Sequence, residues 1–444
     1  MPRTPRRPRF SLALGLIVLV AAGLRITYVL AVTQHDERLY DATWYELSAR
    51  VMAEGEGFFV DPFKALADPD ADEPNADHPP LTVIALLPGA LLGPGQAGEL
   101  AMRFTMVLIG CGTVALVGVL GRRLRGEALG LLAAAIAAVD PNLWMNDGLI
   151  MSEALATLLT LGIAYGSYRV LTGDRSLRWA AALGALVALA ALARAELGLL
   201  GPLLVAPVLL VTRDRGWGRR VLATGVAFLV LLGPWVAFNM ARFEEPTTIS
   251  TGLGLALRSG NCDTTYYGDK IGWSAVFEPC TPPRRGVEQS VWDAQLRRDA
   301  LTYMRHEVRR MPVVALARVG RIWNVYRVTQ SVELSGGEGR PAWAAWMGAV
   351  ATWVLVPLAV VGGLALRRRG QRIWPLVVSI SVTTLVVLAG LGGLLRYRAP
   401  AEPALVLLAA AGLWALVEAR RPAPGLEPVG DQGAADAPPA LAER

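Results

Sequence analysis

Long apolar stretches alternate along the chain with short arginine-rich runs, the pattern of repeated membrane crossings. Ten stretches read as transmembrane helices, at roughly 10–33, 99–121, 126–140, 153–171, 178–193, 197–212, 221–240, 344–366, 373–394 and 400–418. The predicted fold class is an all-α polytopic membrane protein of about ten spans, with juxtamembrane helices in two large outer loops, 34–98 and 241–343. The basic residues before the first span resemble a secretory signal. The apolar run is too long for one, however, and we expect a retained anchor. Residues 1–9 are then cytoplasmic. Residues 422–444, rich in Pro, Ala and Asp, are expected to form a disordered cytoplasmic tail. The stretch 80–94 is apolar but short and carries Pro and Gly. If it crossed, Arg122, Arg123 and Arg125 would lie outside, so the positive-inside rule keeps it at the outer surface. Arg25 falls inside the first span, where it either snorkels to the outer interface or faces a protein interior.

Composition agrees with this pattern. The chain has 444 residues, 53% hydrophobic and only 18% charged, and a mean hydropathy of +0.41. The net charge of +6 does not point to nucleic acid, because the arginines collect in short links between spans. The first outer loop is instead acidic. Cys111 lies in a span as a small buried hydrophobe. Cys262 and Cys280 share the second outer loop, where an oxidising compartment permits a disulfide; two unrelated thiols are the other reading.

The residues able to carry chemistry lie in the outer segments. Within 41–54, Trp44, Leu47, Val51 and Met52 form an apolar stripe, while Asp41, Tyr45 and Ser48 share another face. An acid opening such a helix is ordinarily an N-cap, and position alone points there. His78 follows Asp77 and precedes a Pro pair that makes a rigid helix entry. It suits proton transfer or hydrogen bonding, although spacing alone favours a structural histidine. Asp147 and Glu153 flank the next outer turn, and Glu153 competes between capping and catalysis. Arg194, Arg396 and Arg398 sit at outer span ends, where arginine anchors to headgroups or grips one phosphate. The three histidines lack metal-ligand spacing, so no metal site is assigned. The acidic run 68–77 lacks the central glycine of a calcium loop.

Taken in order, these pieces resemble a family. Asp41, Tyr45, Ala49 and Gly55 come first, then His78-Pro79-Pro80-Leu81 and Glu153. The Gly-Asn segment ending at Asn261, the basic helix 296–323 and the run from Arg396 to Pro403 follow. This order is similar to the glycosyltransferase C superfamily, in the family 39 group related to protein O-mannosyltransferases and lipid A aminoarabinose transferases. The resemblance covers most of 10–418, the expected membrane glycosyltransferase domain. Two positions depart from it. Ala42 stands where an acid often follows Asp41, and Thr82-Val83 stand where some members carry a lysine after His-Pro-Pro.

The resemblance implies a glycosyltransferase that uses a polyprenyl-phosphate sugar as donor, with no cofactor and with a divalent metal left open. The acceptor would be a glycan, lipid or protein. The site would face the periplasm or exterior of the cytoplasmic membrane. It implies Asp41 as general base, with Glu153 and His78 in catalytic support. Tyr45, Asp147, Arg194, Asn261, Arg396 and Arg398 would bind substrate. A lipid or sugar transporter is a second reading, although its ionisable groups should lie mid-membrane. A non-catalytic subunit of an envelope glycan machine is a third.

Overall fold

The structure is a computed structural model that describes residues 7–35, 41–55, 60–67, 73–276 and 279–420. The basic N-terminal residues Arg3 and Arg6, the loop acids Asp36, Glu37, Glu56, Asp68, Asp70 and Asp72, and the tail 422–444 lie outside the described residues. Among the described residues the chain is predominantly helical, with a single isolated β-bridge between Val60 and Pro74.

Six helices are long and apolar enough to cross a bilayer: Arg9–Ala31, Gln96–Arg125, Glu153–Leu171, Trp217–Arg242, Ala342–Arg368 and Leu395–Ala419. The pair Glu127–Val139 and Pro141–Asp147, bent by 58°, makes a seventh if it is one span. The remaining three of the ten expected spans correspond to shorter helices, and length does not establish them as crossings. Leu177–Ala193 has 17 residues and Trp374–Leu388 has 15, which at about 1.5 Å per residue falls short of a ~30 Å hydrocarbon core. Ala195–Val211 is broken into a 3-10 turn, a π turn around Gly201-Pro202 and a short α-helix. Leu81–Ala90, kept at the surface in the sequence reading, is a helix of 10 residues.

Small residues let the helices close on one another, as packing in lipid favours. Gly362 and Gly412 face across the contact between Ala342–Arg368 and Glu402–Ala419. A Cβ at Gly362 would strike the carbonyl of Leu408, and one at Gly412 that of Leu358. By contrast, Trp217–Arg242 is peripheral and leaves Leu222, Leu229 and Val230 about two-thirds exposed, an apolar surface suited to lipid.

Arg25 faces the protein interior. It is fully buried and pairs with Asp147 at 2.7 Å, while one terminal nitrogen donates to the carbonyls of Ala21 at 3.2 Å and Ala138 at 3.0 Å and the other to that of Ala137 at 3.4 Å. At the far end of Leu395–Ala419, Glu418 gathers Arg125 at 2.7 Å and Arg369 at 2.8 Å, bringing two of the arginine-rich links together.

Outside the spans, helices Gly252–Gly260, Gln289–His306 and Met311–Ile322 build a cap. A disulfide between Cys262 and Cys280 ties the intervening loop. Arg284 clamps the two large loops together through Asp61 at 2.9 Å and Glu73 at 2.5 Å. The segment before Pro79 is fixed by three further bonds. Ala76 donates its N–H to Gln289 at 3.0 Å, the Ala76 carbonyl accepts from Thr251 at 2.8 Å, and Arg242 donates to the Asn75 carbonyl at 2.8 Å.

Candidate active site

Asp41 opens the helix Asp41–Glu54. The apolar side of that helix is held by Trp44, Tyr45 and Ala49, which pack with Val83 and Leu86 of the following short helix and with Met102 and Met106. The extended run fixed at Ala76 then brings His78 over this helix. Its ring stacks on Tyr45 at 4.9 Å and meets the edge of Trp44 at 4.9 Å. The i, i+4 spacing of Asp41 and Tyr45 therefore places a carboxylate and an aromatic platform on one side of the same imidazole.

His78 lies between two acids. Its Nε2 is 3.6 Å from a carboxylate oxygen of Asp41 and 3.6 Å from one of Asp77, ion-pair distances too long for direct hydrogen bonds. Arg396, at the start of the span Leu395–Ala419, pairs with the other oxygen of Asp41. Burial alone would raise the Asp41 pKa. The charges of Arg396 and His78, and the hydrogen bond from Arg396, overcome it and hold the carboxyl well below the usual range. For His78, burial favours the neutral ring, but Asp41 and Asp77 outweigh it and raise the pKa. Asp77 is itself raised, chiefly by burial.

Asp41, Tyr45, Asp77, His78, Arg194 and Arg396 all line one cavity of about 480 Å³. Ser152, Ser259, Ser274, Glu196 and Tyr397 add polar groups. Leu199, Leu253, Leu385, Val386 and Leu391 make an apolar wall. Arg194 is held at 2.7 Å by Glu196 and at 3.2 Å by Glu153, and it lies 5.2 Å over the Tyr397 ring. The cavity thus combines three carboxylates, an imidazole and two guanidinium groups beside an apolar surface.

The other residues nominated from sequence lie elsewhere. Glu153 is buried beneath Arg194 and does not line the cavity. Asp147 is the buried counterion of Arg25. Asn261 is fully buried; it donates to the carbonyls of Leu257 at 2.6 Å and Gly390 at 2.8 Å and accepts from Arg318 at 2.9 Å. Arg398 turns from the cavity to pair with Glu402 at 2.5 Å and donates to the Ile322 carbonyl at 2.7 Å. Two residues that sequence reasoning did not nominate stand directly behind the site. Glu338 reaches Arg396 at 3.2 Å, and Arg340 reaches Glu338 at 2.5 Å. Nothing in the local sequence marks them, since the residues that tie them to the site, Arg396 and Glu153, are remote in the chain. Among the described residues no group of three or more His, Cys, Asp or Glu gathers as a metal site.

The comparisons with known proteins fit this architecture. The chain's fold matches the archaeal oligosaccharyltransferase AglB from Archaeoglobus fulgidus, in complex with an inhibitory peptide and a dolichol-phosphate. The TM-score is 0.59 and the identity 13%, over 93% of this chain and 51% of that one. The same enzyme tethered to an acceptor peptide matches with a TM-score of 0.56 and 12% identity, over 93% of this chain and 50% of that chain. ArnT from Cupriavidus metallidurans, bound to undecaprenyl phosphate, overlaps 90% of this chain and 78% of its own at 16% identity, with a TM-score of 0.45, too low to weigh on the fold. The chain is therefore a multi-pass helical membrane protein with the fold seen in the oligosaccharyltransferase, and it spans about half that protein's length. Residues 77–238 match the family described as dolichyl-phosphate-mannose-protein mannosyltransferase. No curated protein matches this sequence.

Proposed function

We propose that this protein is a membrane glycosyltransferase that moves a sugar from a polyprenyl-phosphate donor to an acceptor hydroxyl, with Asp41 as general base. The observation that carries this reading is the meeting of Asp41 and His78 with Arg194 and Arg396 in one cavity that has an apolar wall. Two guanidinium groups suit a phosphate, and the apolar wall suits the first isoprene units of its lipid. The match of residues 77–238 to a dolichyl-phosphate-mannose family, and the dolichol-phosphate in the similar oligosaccharyltransferase, support the same donor class.

The geometry suggests how the base is released. With the donor absent, Asp41 is held by Arg396 and is a poor base. A donor phosphate that draws Arg396 toward itself weakens that pair, and the carboxylate becomes more basic as the substrate arrives. Asp41 then takes the proton of the acceptor hydroxyl while the acceptor oxygen attacks the anomeric carbon. The bond from that carbon to the phosphate oxygen breaks, and polyprenyl phosphate leaves with the electron pair, its charge met by Arg396 and Arg194. The configuration at the sugar inverts. His78, stacked on Tyr45, orients Asp41. Glu153 acts from below by holding Arg194. Asp147, Asn261 and Arg398 support the scaffold from outside the cavity.

The site faces away from the cytoplasm in this proposal, and the membrane is the cytoplasmic one. Arg396 and Glu418 stand near opposite ends of the span Leu395–Ala419, and Glu418 lies among the link arginines Arg125 and Arg369. The positive-inside rule assigns that end to the cytoplasm.

The test is transfer from a panel of radiolabelled polyprenyl-phosphate sugars in membranes, comparing wild type with Asp41→Asn at matched expression. Positioned base catalysis contributes about 10²–10⁴-fold, so the variant should lose at least about a hundredfold. Equal transfer by both proteins would remove Asp41 as base, and no transfer from any donor would remove the glycosyltransferase reading.

A further inference from the structure

Seven charged side chains from distant parts of the chain alternate in sign along the cavity wall and behind it. Glu196 holds Arg194 at 2.7 Å, and Arg194 meets Glu153 at 3.2 Å. Glu153 lies 3.8 Å from Arg340, and Arg340 lies 2.5 Å from Glu338. Glu338 meets Arg396 at 3.2 Å, and Arg396 pairs with Asp41. Arg340 is the middle member. It does not line the cavity and is 1% exposed. Its Nε donates to Asn146 at 2.9 Å, so two of its nitrogens are hydrogen-bonded and the third keeps only the ion-pair contact with Glu153.

We infer that Arg340 is a positioning residue that sets the separation of Arg194 and Arg396, and with it the grip of the cavity on a phosphate. This rests on the reading of the cavity as a polyprenyl-phosphate site. The physical reason is electrostatic. Glu153 and Glu338 each restrain one cavity arginine, and without a cation between them these two buried carboxylates would be left with the cavity arginines as their only cations. They would repel and move apart, and the arginine above each would lose its fixed anchor. A guanidinium suits this place because its planar fork donates to Asn146 and Glu338 while its third nitrogen keeps positive charge 3.8 Å from Glu153, which an ammonium on a flexible stem does not reproduce. Arg340 thus acts on a ligand it never touches.

The experiment measures binding of undecaprenyl phosphate, and of undecaprenol as a control without phosphate, to the full-length protein in detergent. Wild type, Arg340→Gln, Arg340→Lys, Arg396→Gln and the double variant Arg340→Gln/Arg396→Gln are compared. Hydrogen bonds to charged groups, and the couplings between them, are worth about tenfold or more in affinity. Arg340→Gln should therefore weaken undecaprenyl phosphate by at least about tenfold and leave undecaprenol unchanged. Arg340→Lys should fall between. The double variant should bind little worse than Arg396→Gln alone, because the two residues act through one path.

Additive losses in the double variant, or an equal loss of both lipids, would reduce Arg340 to general scaffolding and overturn the inference. Wild type that shows no preference for the phosphate would instead overturn the phosphate reading itself. Should Arg340→Gln fail to fold, Asn146→Ala, which removes one acceptor of Arg340, carries the test. It should weaken undecaprenyl phosphate by about threefold or more, the order of one ordinary hydrogen bond, and unchanged affinity would overturn the inference.

Discussion

Two arginine–aspartate pairs in this protein look alike on paper and do opposite work. Arg25 and Asp147 meet at 2.7 Å with both side chains sealed, and the guanidinium also spends its remaining donors on helix carbonyls. Arg396 and Asp41 meet at the cavity, where the aspartate side chain keeps 25% of its exposure and shares its other oxygen with His78. A closed pair has no free partner to exchange, so it fastens the first span to the bent helix pair. An open pair can hand its arginine to an incoming anion. The lesson is that the chemistry lies in which pair a ligand can reach, not in the pairing itself.

Neutralising the two aspartates separates these roles most sharply. Asp147→Asn leaves Arg25 charged and buried, a loss of about 3–5 kcal/mol. Thermal melting in detergent should fall steeply, while the fraction that stays folded transfers sugar at the wild-type rate per molecule. Asp41→Asn should do the reverse, with transfer lost and melting changed only modestly. If Asp147→Asn melts normally but loses transfer, the closed pair belongs to the site and the distinction collapses.

The cavity wall offers a second, smaller test. Ser274 and Val276 belong to the loop bracketed by Cys262 and Cys280, which are 18 residues apart. Chain-entropy arguments put the worth of such a bond at about 3 kcal/mol, an amount that depends on the chosen unfolded-state description. Cys280→Ser should lower the melting temperature and weaken donor binding together, because the open side of the protein depends on this loop. Lower stability with unchanged donor affinity would show that the wall holds its shape without the covalent tie.

Much of the scaffold was legible because its signals are local. An apolar run and its flanking arginines announce a span whatever the rest of the chain does. Spacing put Asp41 and Tyr45 on one face but favoured an N-cap and, at His78, a structural histidine; the family resemblance nominated them, and the structure gathers them with Arg194 and Arg396 in one cavity. Asp147 was legible as an acid but not as the counterion of Arg25, a residue 122 positions away. Glu338 and Arg340 were missed for the same reason. Their meaning comes from Arg396 and Glu153, which no local window contains. The ten-span reading also outran its warrant where helices are short or broken, as at Gly201-Pro202. Apolarity there cannot say whether a segment crosses or ends in protein.

The smallest effect expected concerns His78, and it tests whether the open pair is part of a wider charge cluster. The ring faces Asp41 and Asp77, with Arg396 beyond Asp41 and the Tyr45 and Trp44 rings against it. Its pKa is raised above the unfolded value of about 6.5. Folding therefore takes up protons at this site. The resulting stabilisation is fully present below about pH 6.5 and is lost as the pH rises through the higher folded value. The melting temperature of wild type should exceed that of His78→Gln most at pH 5–6, and the gap should shrink steadily toward pH 9. A gap independent of pH would mean that His78 contributes only its ring, stacked on Tyr45. Asp41 would then answer to Arg396 alone, and the release of the base would depend on a single contact.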